Sequence, residues 1–113
     1  MNLDDYSKTA ITTLSDSHAY GELTPALMAQ VLGLVGESGE VAEKFKKIIR
    51  DKDGVISDED KQEIVKELGD ILWYVNAVAD LLGSSLNEVA TKNLDKVLSR
   101  KARNQTRGNG DNR

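Results

Sequence analysis

Hydrophobic residues recur at helical intervals along the chain, and the alternating pattern of β-strands is rare. Thr24 followed by Pro25 is typical of a helix start, and Gly83 is typical of a helix end. Four helices are predicted, covering Leu3 to about Leu14, Thr24 to about Arg50, Ser57 to about Leu82, and Ser85 to about Ala102. The predicted fold is therefore all-α, a four-helix bundle.

Apolar stripes run along one side of the second and third predicted helices. The stripe residues are Leu27, Val31, Leu34, Val41, Phe45 and Ile48, followed by Ile64, Leu68, Ile71, Val75, Val78 and Leu82. A chain of 113 residues buries only a modest core. We therefore expect one helical domain, residues 1–102, whose bundle is completed by dimerisation. Residues 103–113 form a basic, glycine-containing tail.

Composition narrows the class of protein. The formal net charge of −4 argues against a dedicated nucleic-acid binder, and the lack of cysteine excludes disulfide and thiolate chemistry. The sequence has no segment typical of a signal peptide or a membrane span. We expect a cytoplasmic protein with no membrane or nucleic-acid partner. The single histidine, His18, falls in a predicted surface loop.

Two pairs of acids stand out because apolar residues and glycines surround them. Glu37 and Glu40 share a face of the second helix, and Glu67 and Asp70 share a face of the third. Any one such pair is commonly a solvated surface feature. If the helices pack antiparallel, however, the pairs meet, and their repulsion must be offset by a cation. Carboxylates suit Mg²⁺, or Mn²⁺ as a substitute, whereas one histidine and no cysteine disfavour zinc or copper.

The segments "GESGEVAEKFKK" and "KELGDILWYV" resemble the MazG-like all-α nucleoside triphosphate pyrophosphohydrolases. That family carries an EExxE motif on one helix and an ExxD motif on the next. Glu37 and Glu40 match the first motif, and Glu67 and Asp70 match the second. Gly36 stands where the family has its leading glutamate, as in members that resemble dCTP pyrophosphatase.

The resemblance implies hydrolysis of an NTP or dNTP to the monophosphate and pyrophosphate, in nucleotide-pool control or house-cleaning. It implies a MazG-like fold, a homodimer or homotetramer, and a Mg²⁺ site whose ligands are Glu37, Glu40, Glu67 and Asp70. One acid would deprotonate the attacking water, and Glu37 and Glu40 are both candidates for this catalytic role.

Further residues are expected to bind the nucleotide. Lysines follow the first acid pair, an aromatic residue follows the second, and an amide and two cations share a face of the fourth helix. They are Lys44, Lys47, Tyr74, Asn93, Lys96 and Arg100. The aromatic ring would stack on the base. For the fourth helix the alternative is a solvated basic end. Trp73 is predicted to lie in the core or at an interface.

Other features leave alternatives open. The glycines around the acids, Gly36, Gly39 and Gly69, could admit a metal shell, a phosphate or a neighbouring helix. Arginines of the tail could fold over the triphosphate. The main alternative function is a non-catalytic helical module that binds nucleotides or a protein partner, and a second is an RNA-binding adaptor working through the tail.

Overall fold

The computed structural model describes residues 1–15 and 19–113, so the prediction for His18 lies outside the described residues. Four helices follow one another: α1 (Leu3–Ile11), α2 (Pro25–Lys52), α3 (Asp58–Leu81) and α4 (Leu86–Ala102). Over these two ranges the backbone contains no β-strand. The all-α prediction is confirmed, and most predicted helix ends lie within two residues of the observed ones.

The end of α1 is the least accurately predicted boundary. The helix ends at Ile11 rather than near Leu14. Thr12 and Thr13 follow it in a turn, and their hydroxyls each donate a 2.7 Å hydrogen bond to a carbonyl of the last helical turn. These side-chain bonds satisfy the terminal carbonyls and allow the helix to stop early.

The long helix α2 has a clear signal at each end. Thr24 Oγ1 accepts a 3.1 Å hydrogen bond from the amide of Leu27, as an N-cap residue does. At the other end Asp53 and Gly54 adopt positive φ, and the Gly54 amide donates to the carbonyl of Ile48. This left-handed termination reverses the chain and directs it into α3.

A capping box starts α3. The Asp60 amide donates to Ser57 Oγ, and the Ser57 amide donates to Asp60 Oδ2, each at 3.0 Å. Lys52 Nζ at the end of α2 also donates to Asp60 Oδ1, at 2.7 Å. Asp60 therefore joins the two helix ends at the α2–α3 connection.

Asp60 should make stability depend on pH in the acid range. The hydrogen bonds from Lys52 and Ser57 lower the pKa of Asp60 from its ordinary 3.8 to about 2. Its stabilising contribution is therefore complete above pH 3.8 and is lost as the pH falls from 3.8 towards 2. Urea unfolding of wild type and Asp60→Asn should show a stability difference that shrinks across this window. A difference that stays constant across it would contradict the assignment.

Packing within one chain is incomplete. Helices α2 and α3 form an antiparallel pair, α4 packs against α3, and α1 packs on none of the other described helices. The buried hydrophobic residues are Leu27, Ile48, Ile64 and Ala79. The radius of gyration is 19.9 Å, against about 13 Å for a compact domain of 100 residues. A single chain thus forms a helical hairpin with extensions and does not close a bundle.

Many large apolar side chains remain exposed as a result. Phe45, Leu68 and Leu82, which were predicted to be core residues, have 46%, 50% and 66% of their surface exposed. In the single chain these residues are not part of a core, because the helical hairpin leaves them uncovered. Their burial by a second copy stays a prediction. Other exposed apolar residues of the pair are Leu32, Val35, Ile49, Val65 and Leu72.

None of the helices within residues 1–15 and 19–113 combines the length and the hydropathy needed to cross a bilayer.

Candidate metal and nucleotide site

The antiparallel pairing of α2 and α3 brings three of the four predicted acids together. Two contacts fix the register: the Tyr74 ring lies against Gly33, and Lys44 Nζ lies 3.7 Å from Glu67 Oε1. Glu37 lies between Gly33 and Lys44 on α2, and Asp70 lies between Glu67 and Tyr74 on α3. Residues spaced three or four apart share a face of a helix, so the residues named here form one row on α2 and one on α3, and the two rows face each other.

Three carboxylates converge at the centre of these rows. One oxygen each from Glu37, Glu67 and Asp70 lies within 4.8 Å of the others. Two oxygens on opposite sides of one Mg²⁺ lie about 4 Å apart, so small side-chain movements would allow all three to share a cation. The donor set contains only hard oxygen ligands, which fits Mg²⁺ or Mn²⁺ and not a soft metal. These three residues could hold a metal ion.

The surroundings of Glu37 disfavour the charged form of its carboxyl group. Partial burial raises the pKa of this carboxyl, and the neighbouring Asp70 and Glu67 carboxylates raise it further. Glu40 adds a smaller effect in the same direction. A divalent cation would remove this repulsion, which is the physical reason why such a cluster attracts one.

Glu40 is the predicted ligand that lies apart from the cluster. It is exposed and follows Glu37 by one helical turn, and it acts on Glu37 only as a neighbouring charge. The cluster of the described structure contains the other three predicted acids. The role of Glu40 as a ligand or base remains a prediction.

Beside the acids is a hollow of about 350 Å³ lined by Glu37, Asp70, Trp73 and Tyr74. The two aromatic rings meet edge to face, with centroids 5.0 Å apart and planes at 83°. Small-molecule sites commonly combine such apolar surfaces with a few polar groups.

Trp73 is not a core residue of the single chain. It was predicted to lie in the core or at an interface, and it is 60% exposed and lines the hollow. The interface alternative stays a prediction. The missed signal was its spacing: Trp73 follows Asp70 by three residues, which places the two side chains on neighbouring parts of the helix surface.

The predicted lysines lie on the next turns of α2. Lys44 pairs with Glu67 and so touches the acid cluster directly. Lys47 lies further along, in a groove of about 300 Å³ between α2 and α3. Lys44 and Lys52 also line this groove, together with the acids Asp51, Asp60 and Glu63. None of the three cluster acids lines it.

Two of the three predicted residues of α4, Lys96 and Arg100, interact with the tail. Lys96 Nζ donates to Asp111 Oδ1 at 2.8 Å, and Arg100 Nη2 donates to the Asp111 carbonyl at 2.6 Å. Arg100 is buried by this contact, whereas Asn93 is exposed. The hydrogen bond from Lys96 lowers the pKa of the Asp111 carboxyl, and Arg100 adds to the effect. The paired cations of α4 thus hold an acidic group in this structure.

The tail folds back on itself and on α4. Arg103 donates to Ser99 Oγ and to the Arg113 carbonyl, while Arg113 donates to carbonyls of residues 105, 106 and 110. The described contacts of these two arginines are therefore local to the end of the chain.

The fold and the site together define a class of protein. In this class an antiparallel helix pair brings carboxylates together beside an aromatic hollow, an arrangement suited to hold a hard cation next to a planar ligand. Comparison with known proteins identifies the family. Residues 26–104 match the family model described as the MazG nucleotide pyrophosphohydrolase domain, and the chain belongs to that family.

A relative from a bacteriophage extends this comparison. The chain is 52% identical over 82 residues to the Gene 37 protein of Mycobacterium phage L5, an alignment covering 73% of this chain and 72% of that protein. No solved structure matches the chain. The family match confirms the resemblance found in the sequence.

Proposed function

We propose that the protein is a Mg²⁺-dependent nucleoside triphosphate pyrophosphohydrolase, for which Mn²⁺ can substitute. It would convert an NTP or dNTP and water into the monophosphate and pyrophosphate. The observation that carries the proposal is the convergence of Glu37, Glu67 and Asp70 beside an aromatic hollow, in a chain of this family.

Each part of the site has a role in this proposal. Glu37, Glu67 and Asp70 would hold the metal, with Glu40 as a fourth ligand or as the base. When bound, the metal would neutralise phosphate charge and stabilise the negative charge that develops during attack.

Glu40 is the better placed of the two candidate bases because it lies outside the three-acid cluster and retains an exposed carboxylate. It would accept a proton from the water that attacks the α-phosphorus. The new bond joins the water oxygen to that phosphorus, and the bond to the bridging oxygen breaks to release pyrophosphate.

The nucleotide would span the hollow and the part of the neighbouring groove where Lys44 and Lys47 lie. Its base would stack on Tyr74, with Trp73 forming a second wall. Its phosphates would extend past the acids towards Lys44 and Lys47, which line the adjoining groove.

For α4 we propose that Asn93, Lys96 and Arg100 also contact the nucleotide. Lys96 and Arg100 already bind the carboxylate and carbonyl of Asp111, so their geometry can accommodate an oxyanion. Phosphate oxygens would compete with Asp111 for these donors.

The active protein would be an oligomer, a homodimer or a homotetramer. The exposed apolar residues of α2 and α3 and the large radius of gyration support a second copy that covers this side of the pair. Such an enzyme would act in the cytoplasm, where nucleotide pools are controlled and cleaned of unwanted members.

Metal removal tests the proposed activity. The full chain is incubated with each NTP and dNTP, and pyrophosphate release is followed with Mg²⁺, with Mn²⁺ or with EDTA. Release should require a metal and return to background in EDTA, because the three acids would then repel one another and the phosphates. Undiminished release in EDTA would contradict the proposal. Metal-dependent nucleotide binding without release would instead indicate the non-catalytic module.

A further inference from the structure

Gly33 and the ring of Tyr74 occupy the same place on opposite helices. A β-carbon added to Gly33 would lie 2.8 Å from Cδ1 and 2.5 Å from Cζ of Tyr74, and closer still to Cε1. Carbon atoms in contact are ordinarily separated by about 3.5–4.0 Å. The ring therefore lies where the side chain of any other residue at position 33 would begin.

The other helical glycines near the acids differ in this respect. A β-carbon on Gly36, Gly39 or Gly69 would meet no atom within 4 Å in the described structure. Within α2 and α3, close packing thus explains glycine at position 33 and does not explain it at the other three positions. Gly33 is half-buried, whereas Gly36, Gly39 and Gly69 are exposed.

The ring that rests on Gly33 lies one helical turn from the acid cluster. Gly33 precedes Glu37 by four residues on α2, and Tyr74 follows Asp70 by four residues on α3. The same ring packs edge to face on Trp73, and both aromatics line the hollow with Glu37 and Asp70. The distance between the Tyr74 ring and the backbone of α2 therefore determines where one wall of the hollow lies.

We infer that Gly33 is a positioning residue that seats the Tyr74 ring against the backbone of α2 and so sets the width of the hollow for a planar nucleobase. The inference about the base rests on the proposed function, whereas the seating of the ring does not. A methyl group at position 33 would displace the ring by roughly 1.3 Å or more. The displaced ring would change the width of the hollow and disturb the contact with Trp73.

The contact between Gly33 and the Tyr74 ring can be tested without any substrate. Trp73, which packs on this ring, is the only tryptophan of the chain, so its signal reports on this place alone. Trp73 fluorescence and near-ultraviolet circular dichroism are recorded for the full-length wild type, Gly33→Ala and Gly36→Ala. The two variants add the same methyl group to the same helix. Gly33→Ala should shift the emission and change the aromatic dichroism, and Gly36→Ala should reproduce the wild-type spectra. Wild-type spectra for Gly33→Ala would overturn the inference.

Kinetics test the consequence for the substrate. Gly33→Ala should raise KM for the preferred nucleotide about tenfold and change kcat less than about threefold, because the base wall moves and the acids do not. In a Tyr74→Ala background the same substitution should change KM less than about twofold, since no ring remains to be displaced. An undiminished effect in that background would show that Gly33 acts by another route and would overturn the inference.

Two other outcomes are also decisive. If Gly33→Ala fails to fold, the Gly33→Ala/Tyr74→Ala double variant should recover the helical circular dichroism. Failure to recover it would overturn the inference that Gly33 positions the ring. If the wild type hydrolyses no nucleotide, the proposed function fails, while the spectral comparison of the alanine variants still decides whether the ring rests on Gly33.

Discussion

Replacing Glu67 with glutamine should lower kcat/KM for pyrophosphate release about a thousandfold or more, the size expected when a charged group of a catalytic metal site is lost. Glu67 is central to the proposed site because its carboxylate contacts the acid cluster and Lys44 at once. Glutamine keeps the shape of the side chain and the helix, but it removes the negative charge that attracts the cation.

Glu43→Gln is the matched control for this experiment. Glu43 lies on α2, its carboxylate pairs with Lys46 at 3.6 Å, and it lines neither the hollow nor the groove. Its replacement should leave kcat/KM within about threefold of wild type, since a surface ion pair contributes little. Calorimetric titration with Mg²⁺ alone should show weaker binding to Glu67→Gln only. Equal activity of the two variants would show that Glu67 is not part of the active site.

The second large effect is expected at the apolar surface of α3. Leu72→Glu should convert an oligomer into a monomer and lower the melting temperature markedly, because burying an unpaired charge in an apolar interface is very costly. Leu72 is 53% exposed in the single chain, and it shares a stripe with Val65 and Leu68.

Light scattering coupled to size-exclusion chromatography measures this change directly. Gln62→Glu supplies the control, since it adds the same charge to the same helix at an exposed polar position. The control should keep the wild-type mass. A wild type that elutes as a monomer, or a Leu72→Glu variant that keeps the oligomeric mass, would contradict the proposed interface.

The sequence was sufficient to predict the helices and the acid pairs because both depend on local signals. Thr24, Ser57 and Gly83 mark helix ends through their own side chains or backbone freedom, and the structure uses them in this way. Spacing of three residues places Glu67 and Asp70 on one face in any helix. For the acids of α2 to face those of α3, the two helices need only pack antiparallel.

The parts that were not predicted depend on contacts between helices. Phe45 and Leu68 fit a core stripe, and the short chain predicts a bundle completed by a second copy, but the pattern does not say which apolar residues a single chain leaves uncovered. Trp73 could have occupied either side of α3, and only the packed pair places it at the hollow.

The glycines illustrate the same limit. Their number suggested close approach near the acids, but in the described structure the close approach of the facing helix occurs at Gly33 and not at Gly36 or Gly39. The approach of a metal shell or a phosphate to those glycines stays a prediction. Which glycine faces a ring depends on the register of two helices, which local composition does not contain.

The central claim is that the acids of α2 and α3 direct cleavage between the α- and β-phosphates, and product analysis tests it most directly. Wild type and Glu67→Gln are incubated with each nucleotide and Mg²⁺, and the products are separated by anion-exchange chromatography. We expect equal amounts of monophosphate and pyrophosphate from the wild type and neither from the variant. Diphosphate and orthophosphate as the products, or monophosphate and pyrophosphate from both proteins, would contradict the claim.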